Sequence, residues 1–197
     1  MDVMTSPVDG GELAHALRNP LSSVKIVLQA VNRDGPSVQA RQARLALREV
    51  RKMERLLSAL AECGSPPHMP PRPCELADLV DRSSADVAEE LAQRQVQLET
   101  RVVEGLRPVG CDALRVRPLL AQLLLESADR CRESRRLEVR LEGCAGGGML
   151  SIPFGDSPPT STSGACVQGL ATMLRPVGGS ALWTGKGTVE LRFPRPG

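Results

Sequence analysis

Apolar positions follow two different periods along the chain. In the first third they recur at spacings of three and four residues, which is typical of one face of an amphipathic helix. A first stripe consists of Leu13, Leu17, Val24, Leu28 and Val31. A second stripe, with coiled-coil-like alternation, consists of Ala43, Ala46, Val50, Met53, Leu57 and Leu60. We therefore predict helices from about residue 9 to 32 and from about residue 37 to 62.

The turn cluster 32–36 joins these two predicted helices. Pro20 lies within the first one, and the stripe stays in phase beyond it, so we expect a kink there and not a helix end. Two long helices joined by a short turn form an antiparallel hairpin. A lone hairpin leaves its apolar stripe half covered, whereas pairing two copies buries it in a four-helix bundle. We therefore predict a homodimer.

A proline-rich segment, residues 64–73, indicates a linker between domains 1–63 and 74–197. The second domain alternates in period. We predict helices over 75–95, 112–131 and 163–174, the middle one burying Leu114, Leu119, Leu120, Leu123 and Leu124. We predict strands over 96–103, 108–111, 137–141, 149–154, 180–184 and 188–193, with a turn at 143–148. The fold class is α+β, with one layer of helices on a mixed or antiparallel sheet.

Composition narrows the classes of function. The 197 residues carry a net charge of +2, and only 2% are aromatic, which argues against nucleic-acid binding through base stacking. No apolar run approaches the ~20 residues of a membrane span, and no leader segment opens the chain. The six cysteines form no C-x-x-C pair, so we expect reduced thiols, no metal site and a cytoplasmic protein.

His15 lies two residues from both Leu13 and Leu17. At about 100° per residue, its side chain points about 200° away from theirs. The predicted helix therefore buries its leucines and exposes an imidazole, which titrates near neutrality and can act as a nucleophile. On position alone, a surface histidine without a chemical role is the better explanation of this residue.

The stretch from His15 to Leu21, which reads His-Ala-Leu-Arg-Asn-Pro-Leu, resembles the phosphoacceptor box of sensor histidine kinases. Ala16 departs from that family, which carries Glu or Asp next to the histidine. The closing segments 169–171, 177–179 and 187–194 are similar to the end of the family's ATP-binding domain. The resemblance implies a dimerisation domain followed by a histidine-kinase-like ATPase α/β sandwich.

Parts of the family's nucleotide machinery are missing from the second domain. Glu126 stands where the family has its metal-binding Asn. The family's Asp-x-Gly-x-Gly motif is not intact after the strand that ends at Phe154: Asp156 is at most a shifted remnant of it, and neither glycine follows. Prolines at 158 and 159 remove backbone N–H groups that phosphate binding needs. We therefore expect neither ATP nor Mg²⁺ on this chain.

The second predicted helix is rich in basic residues: Arg41, Arg44, Arg48, Arg51, Lys52 and Arg55. Such a run is either a solvated face or a docking surface for an acidic partner, and a receiver domain of a response regulator fits the second interpretation. We assign catalysis to His15 and Asn19. We assign partner binding to Arg18, Leu21, Ser22, Arg44 and Arg48.

Three hypotheses follow from these residues. The first is a histidine phosphotransferase in which His15 carries a phosphoryl group between receiver-domain aspartates, without ATP. The second is a dimeric pseudokinase that binds and regulates a receiver or a kinase without chemistry. The third is an ATP-dependent kinase with a divergent pocket. The degraded nucleotide motifs and Ala16 favour the first two.

Overall fold

A computed structural model describes residues 21–22, 24–29, 38–64, 72–103, 105–130, 135–155, 160–184 and 187–197 of the protein. The chain divides into two compact units, Met1–Pro66 and Pro67–Gly197. The division falls within the segment that the sequence indicates as a linker.

The first unit contains the helix α1, Val38–Gly64, and helical residues at 21–22 and 24–29. An ion pair joins these pieces, because Lys25 Nζ lies 2.7 Å and 3.0 Å from the two carboxylate oxygens of Glu54. Segment 24–29 therefore lies beside α1. The predicted start of the first helix near residue 9, its end near residue 32 and Pro20 all fall outside the described residues.

Among the described side chains of α1, the buried ones are Ala40, Ala43, Leu47, Val50 and Leu57. Met53, which belongs to the same predicted stripe, is 42% exposed in the single chain. Helical geometry gives the reason. Met53 lies about 60° from Val50, on the side away from Leu47, and so falls at the border of the buried arc.

The second unit is built on a five-stranded sheet, whose strands are β2 (Gln97–Val102), β4 (Arg136–Cys144), β5 (Gly147–Pro153), β6 (Ser180–Thr184) and β7 (Thr188–Pro194). They lie in the order β2-β4-β5-β7-β6, and only β2 and β4 run parallel. A separate two-stranded sheet pairs β1 (Arg72–Cys74) with β3 (Val109–Cys111). The helices are α2 (Leu76–Ala85), α3 (Ala88–Gln93), α4 (Ala113–Arg130) and α5 (Ser161–Leu174).

Burial alternates along the central strands. On β4, Leu137, Val139 and Leu141 are fully buried, whereas Arg136 and Arg140 are exposed. Helix α4 packs between α2 and α5 and contacts β4 and β5. One face of the sheet is thus covered by helices and the other is charged, which confirms the predicted α+β class with a mixed sheet.

The helix predicted over 75–95 is in fact two helices, α2 and α3. The chain leaves the helical path at Asp86 and Val87. Val87 is fully buried, while the carboxylate of Asp86 accepts hydrogen bonds from Arg117 on α4. These two tertiary contacts break a segment whose local pattern reads as one helix.

The six-residue turn predicted at 143–148 is also wrong. Strands β4 and β5 continue to Cys144 and from Gly147, so that only Ala145 and Gly146 form the turn. The glycines serve close backbone approach inside the sheet, since a Cβ at Gly143 would overlap the carbonyl oxygen of Gly105. Gly147 also adopts a φ of 149°, which favours glycine.

Leu114 was predicted to be buried with the other leucines of α4, and this too is wrong, because its side chain is 78% exposed. Leu114 precedes Leu119 by five residues and therefore points about 140° away from it. Leu119, Leu120, Leu123 and Leu124 are buried as predicted.

Candidate functional site

The predicted phosphoacceptor residues lie at the start of the chain. His15, Arg18 and Asn19 are outside the described residues. Leu21 is half-buried and Ser22 is exposed, and both are helical. These two residues therefore precede the segment that the Lys25–Glu54 pair holds against α1.

The predicted docking residues on α1 are only partly visible. Arg44 is exposed on this helix, as are Arg41 and the apolar Leu45. The backbone of Arg48 is helical, but its side chain is not among those that the structure describes. The exposed surface of α1 thus combines basic and apolar side chains, a composition suited to protein contact.

In the second unit, the position that the resemblance assigns to the metal ligand belongs to a closed hydrogen-bond network. Gln122 and Glu126 lie one turn apart on α4, and both are buried. The Gln122 amide donates to Glu126 Oε1 at 3.0 Å, and the Thr160 hydroxyl donates to Oε2 at 3.1 Å. Both carboxylate oxygens of Glu126 therefore accept hydrogen bonds from the protein itself.

Thr160 is held in place by the start of α5. It is the N-cap of that helix, and its Oγ1 accepts a hydrogen bond from the Ser163 N–H at 3.0 Å, while Ser163 Oγ accepts one from the Thr160 N–H. This capping box satisfies two of the otherwise unpaired donors at the start of α5. The cap and the Glu126 network thus share one hydroxyl, which links α4 to α5. The spacing Thr160-x-x-Ser163 before an apolar run was a signal for this cap that the sequence-based reasoning did not use.

The next carboxylate along α4 is also paired. Arg94 Nε donates to Asp129 Oδ1 at 2.8 Å, and Arg94 Nη1 also donates to the carbonyl of Glu90. Within the described part of the second unit, both acidic side chains at the end of α4 thus have protein partners.

Aromatic rings and a guanidinium gather where β5 ends. The rings of Phe154 and Trp183 have centroids 4.8 Å apart, and the Arg130 guanidinium carbon lies 5.6 Å and 6.0 Å from the two centroids. Such contacts combine aromatic packing with cation–π attraction. Nearby, the Ser127 hydroxyl donates to the carbonyl of Pro153. This cluster was not predicted from the sequence, although Trp183 is the only tryptophan in the chain.

Asp156, Pro158 and Pro159, which carried the argument about the degraded nucleotide loop, lie outside the described residues. Among the residues that are described, no group of three or more His, Cys, Asp and Glu side chains is arranged to hold a metal ion. In that same part of the chain, no helix combines the length and the apolar character that crossing a bilayer requires.

The other end of α4 borders two adjoining cavities, of about 240 Å³ and 320 Å³. Both are lined by Pro73, Cys74, Ala113 and Leu114. The smaller one is also lined by Cys111, which is buried. Burial raises the pKa of the Cys74 thiol and, more strongly, that of the Cys111 thiol.

Comparison with known proteins finds relatives of this chain among the sensor histidine kinases. No family model matches the chain. It is 26% identical over 147 residues to the sensor histidine kinase ZraS of Klebsiella oxytoca, covering 74% of this chain and 32% of that protein. The ZraS of Escherichia coli strain K12 is 25% identical over 142 residues, covering 71% and 30%. The chain thus spans about a third of the length of these curated relatives.

Solved histidine kinases share the fold. The Acinetobacter baumannii kinase AdeS matches with a TM-score of 0.55 at 16% identity, covering 93% of this chain and 98% of its own. The kinase ThkA in complex with the response regulator TrrA matches with a TM-score of 0.59 at 14% identity, covering 93% and 60%. Full-length ShkA in complex with AMPPNP matches with a TM-score of 0.57 at 16% identity, covering 98% and 46%. The second unit therefore has the sheet of a histidine-kinase ATPase domain. The sequence relatives show that this chain is related to the sensor histidine kinases.

Proposed function

We propose that the chain is a histidine phosphotransferase of a two-component phosphorelay. His15 carries a phosphoryl group between the aspartates of two receiver domains, and the second unit supplies neither ATP nor Mg²⁺. Receiver domains of response regulators are the partners, and the protein works as a homodimer in the cytoplasm, where such partners reside.

The observation that carries this proposal is that both carboxylate oxygens of Glu126 already accept hydrogen bonds from the protein. Mg²⁺ binds hard oxygen ligands and gives up its water reluctantly, so it needs ligand oxygens that are available. Both oxygens of Glu126 already accept hydrogen bonds, and Thr160 serves the cap of α5 at the same time. A bound metal would compete with these two donors for the oxygens of Glu126, and losing its bond would leave the buried Gln122 amide unpaired, at a cost of about 1–3 kcal/mol.

The aromatic cluster at the end of β5 supports the same conclusion. In the family, the adenine-binding loop follows this strand. Here Arg130, Phe154 and Trp183 pack on one another at that point. A purine that entered beside β5 would compete with these contacts for the aromatic rings and the guanidinium.

The proposed chemistry asks little of this chain. The bond from phosphorus to an aspartyl oxygen of the donor receiver breaks while a bond to an imidazole nitrogen of His15 forms, and the reverse step passes the group to the second receiver. The receiver contributes the metal ion and the other catalytic groups. Ala16 provides no general base, a loss worth ~10²–10⁴ in the rate of attack on ATP, whereas the aspartyl phosphate is already activated.

Exposed side chains of the first unit support the proposed partner binding and dimerisation. Arg41, Arg44 and Leu45 are exposed on α1, and a receiver domain presents acidic groups around its phosphorylation site. ThkA, which shares the fold, has been solved with a response regulator. Val24 and Val27 are 48% and 63% exposed in the single chain, and pairing with a second copy in a four-helix bundle would cover them. Arg18, Leu21, Ser22 and Arg48 complete the proposed docking surface.

A transfer experiment tests the proposal. The full chain is mixed with a receiver domain labelled on its aspartyl phosphate, and we expect the label to reach the chain. Because the chain has only two histidines, His68→Ala is a matched control for His15→Ala. Label that persists in His15→Ala, or that never reaches the wild-type chain, contradicts the proposal.

Nucleotide binding is tested separately. Trp183 lies 4.8 Å from Phe154 and is the sole tryptophan, so its fluorescence reports directly on the region beside β5. We expect no saturable change with millimolar Mg²⁺–ATP, and no heat of binding by calorimetry. Saturable binding together with incorporation of label from ATP into His15 would instead identify a divergent kinase.

The second candidate is a pseudokinase that binds and regulates a receiver or kinase without chemistry. Ala16 and the closed Glu126 network favour it as much as they favour the carrier. Stable receiver binding that survives His15→Ala, with no transfer of label in the wild-type chain, would establish it.

A further inference from the structure

Two cysteines meet across the short sheet of the second unit. Strands β1 and β3 are antiparallel, with Cys74 opposite Val109 and Arg72 opposite Cys111. Opposed residues of antiparallel strands share a face, and Cys111, two residues beyond Val109, lies on that face as well. Cys74 and Cys111 are therefore diagonal neighbours, and their thiols interact with each other.

The cysteines differ in access. Cys74 is half-buried, whereas Cys111 is only 2% exposed. Both line the same 240 Å³ cavity. A small reagent therefore meets Cys74 first, and Cys111 is placed to react with whatever forms there.

We propose that Cys74 and Cys111 form a reversible disulfide, made by exchange with a small-molecule disulfide such as oxidised glutathione. The Cys74 thiolate attacks one sulfur of the reagent, a new S–S bond forms, and one thiolate leaves. The Cys111 thiolate then attacks the Cys74 sulfur and expels the second thiolate. Two protein thiols are oxidised, one disulfide is reduced to two thiols, and the protons of the cysteines pass through solvent to the leaving thiolates.

The disulfide would fix the position of strand β1, which lies near the start of the second unit. Strand β1 has three residues and, in the described part of the chain, pairs only with β3. A covalent link to Cys111 ties this strand to the last residue of β3, two residues before α4 begins. Because burial raises the pKa of both thiols, exchange is slow near neutral pH and speeds up as pH rises. The pair thus responds to sustained oxidation and not to a brief pulse.

Glutathione buffers of graded ratio provide the test. The full chain, with its fold verified by circular dichroism, is equilibrated, quenched with alkylating reagent at low pH and mapped without reduction. We expect a Cys74–Cys111 peptide, loss of two hydrogen atoms from the intact mass, and reversal by dithiothreitol. Formation should be faster at pH 9 than at pH 7.

Variants sharpen the result. Cys74→Ser abolishes the link, Cys111→Ala leaves a mixed disulfide on Cys74, and Cys144→Ser, at an exposed thiol of the same unit, changes nothing. The wild-type peptide map decides the question even if Cys111→Ala fails to fold. A wild-type chain that stops at the mixed disulfide, links either cysteine to another partner, or stays reduced at every ratio overturns the proposal.

Discussion

The two ends of helix α4 have opposite characters. Around Glu126 and Arg130, polar side chains bond to α5, to the end of β5 and to one another. Around Ala113 and Leu114, the same helix borders two cavities, and Leu114 projects into solvent. In the family that this chain resembles, the first of these ends is the one that serves nucleotide.

On the function proposed above, this difference teaches how a ligand site closes while its fold persists. Replacing a neutral amide by a carboxylate at position 126 puts a strong hydrogen-bond acceptor in the buried interior. That acceptor has to be satisfied, and Gln122 and Thr160 satisfy it. Because Thr160 also caps α5, the same hydroxyl joins α4 to the start of α5 and contributes to the stability of the unit.

The largest expected effect tests the core between the two ends. Leu123 is fully buried on α4, and Leu123→Ala should lower the free energy of unfolding by about 2–5 kcal/mol, because a cavity remains. Leu114→Ala is the matched control on the same helix and should change it by less than ~0.5 kcal/mol. Urea unfolding followed by circular dichroism measures both, and equal losses would contradict the exposure of Leu114.

Removing the shared hydroxyl tests the closed end. Thr160→Val deletes both the cap of α5 and one hydrogen bond of Glu126, and should cost about 2 kcal/mol of unfolding free energy. Thr172→Val is the control, since the exposed hydroxyl of Thr172 bonds only within α5, to the Gln168 carbonyl. Should the two variants lose the same stability, the link between α4 and α5 through Thr160 would be refuted.

The stability of the fold should decrease at alkaline pH because of Cys111, which lies near the Ala113 end of α4. The folded pKa of Cys111 lies above the ordinary value of 9.0, so the folded state keeps a proton that the unfolded state loses. The contribution of this thiol to stability is therefore constant below about pH 9 and falls as pH rises above it, by up to ~1.4 kcal/mol per pH unit. Unfolding midpoints between pH 8 and 10 measure this slope, and Cys111→Ala should flatten it. An unchanged slope in that variant would rule out Cys111 as the source.

The smallest effect concerns the Arg94–Asp129 ion pair. Asp129 is 37% exposed, so solvent screens the pair, and a double-mutant cycle with Arg94→Ala and Asp129→Asn should give a coupling below ~1 kcal/mol. The coupling should shrink further in high salt. A value above ~2 kcal/mol that salt does not alter would mean that the closed end is drier than its exposure indicates.

Much of the second unit was predictable from periodicity. Strand β6 was predicted at its observed bounds, and α4, β2 and β3 differ from prediction by one residue at each affected end. Errors arose where contacts between distant segments override the local pattern. Asp86 and Val87 break a helix that their neighbours favour, and Gly143 and Gly147 extend a hairpin that a glycine-rich run predicts as loop.

The candidate site, too, was predictable from the sequence only in part. Glu126 was identifiable from its place in a resemblance, but the Thr160 and Gln122 hydrogen bonds were not. Thr160 is 34 residues from Glu126, and only the packing of α5 against α4 brings them together. The diagonal contact of Cys74 and Cys111 likewise depends on the register of β1 against β3.

By itself, the sequence determined the helical and extended periods, the α+β class, and the substitutions at positions 16 and 126 that set this chain apart from the family it resembles. Backbone geometry dictates those periods within a few residues, so a local pattern is enough to read them. Only the tertiary structure decided which oxygen accepts from which donor and which thiols face each other. Such contacts join residues far apart in the chain, and no local pattern encodes their distance.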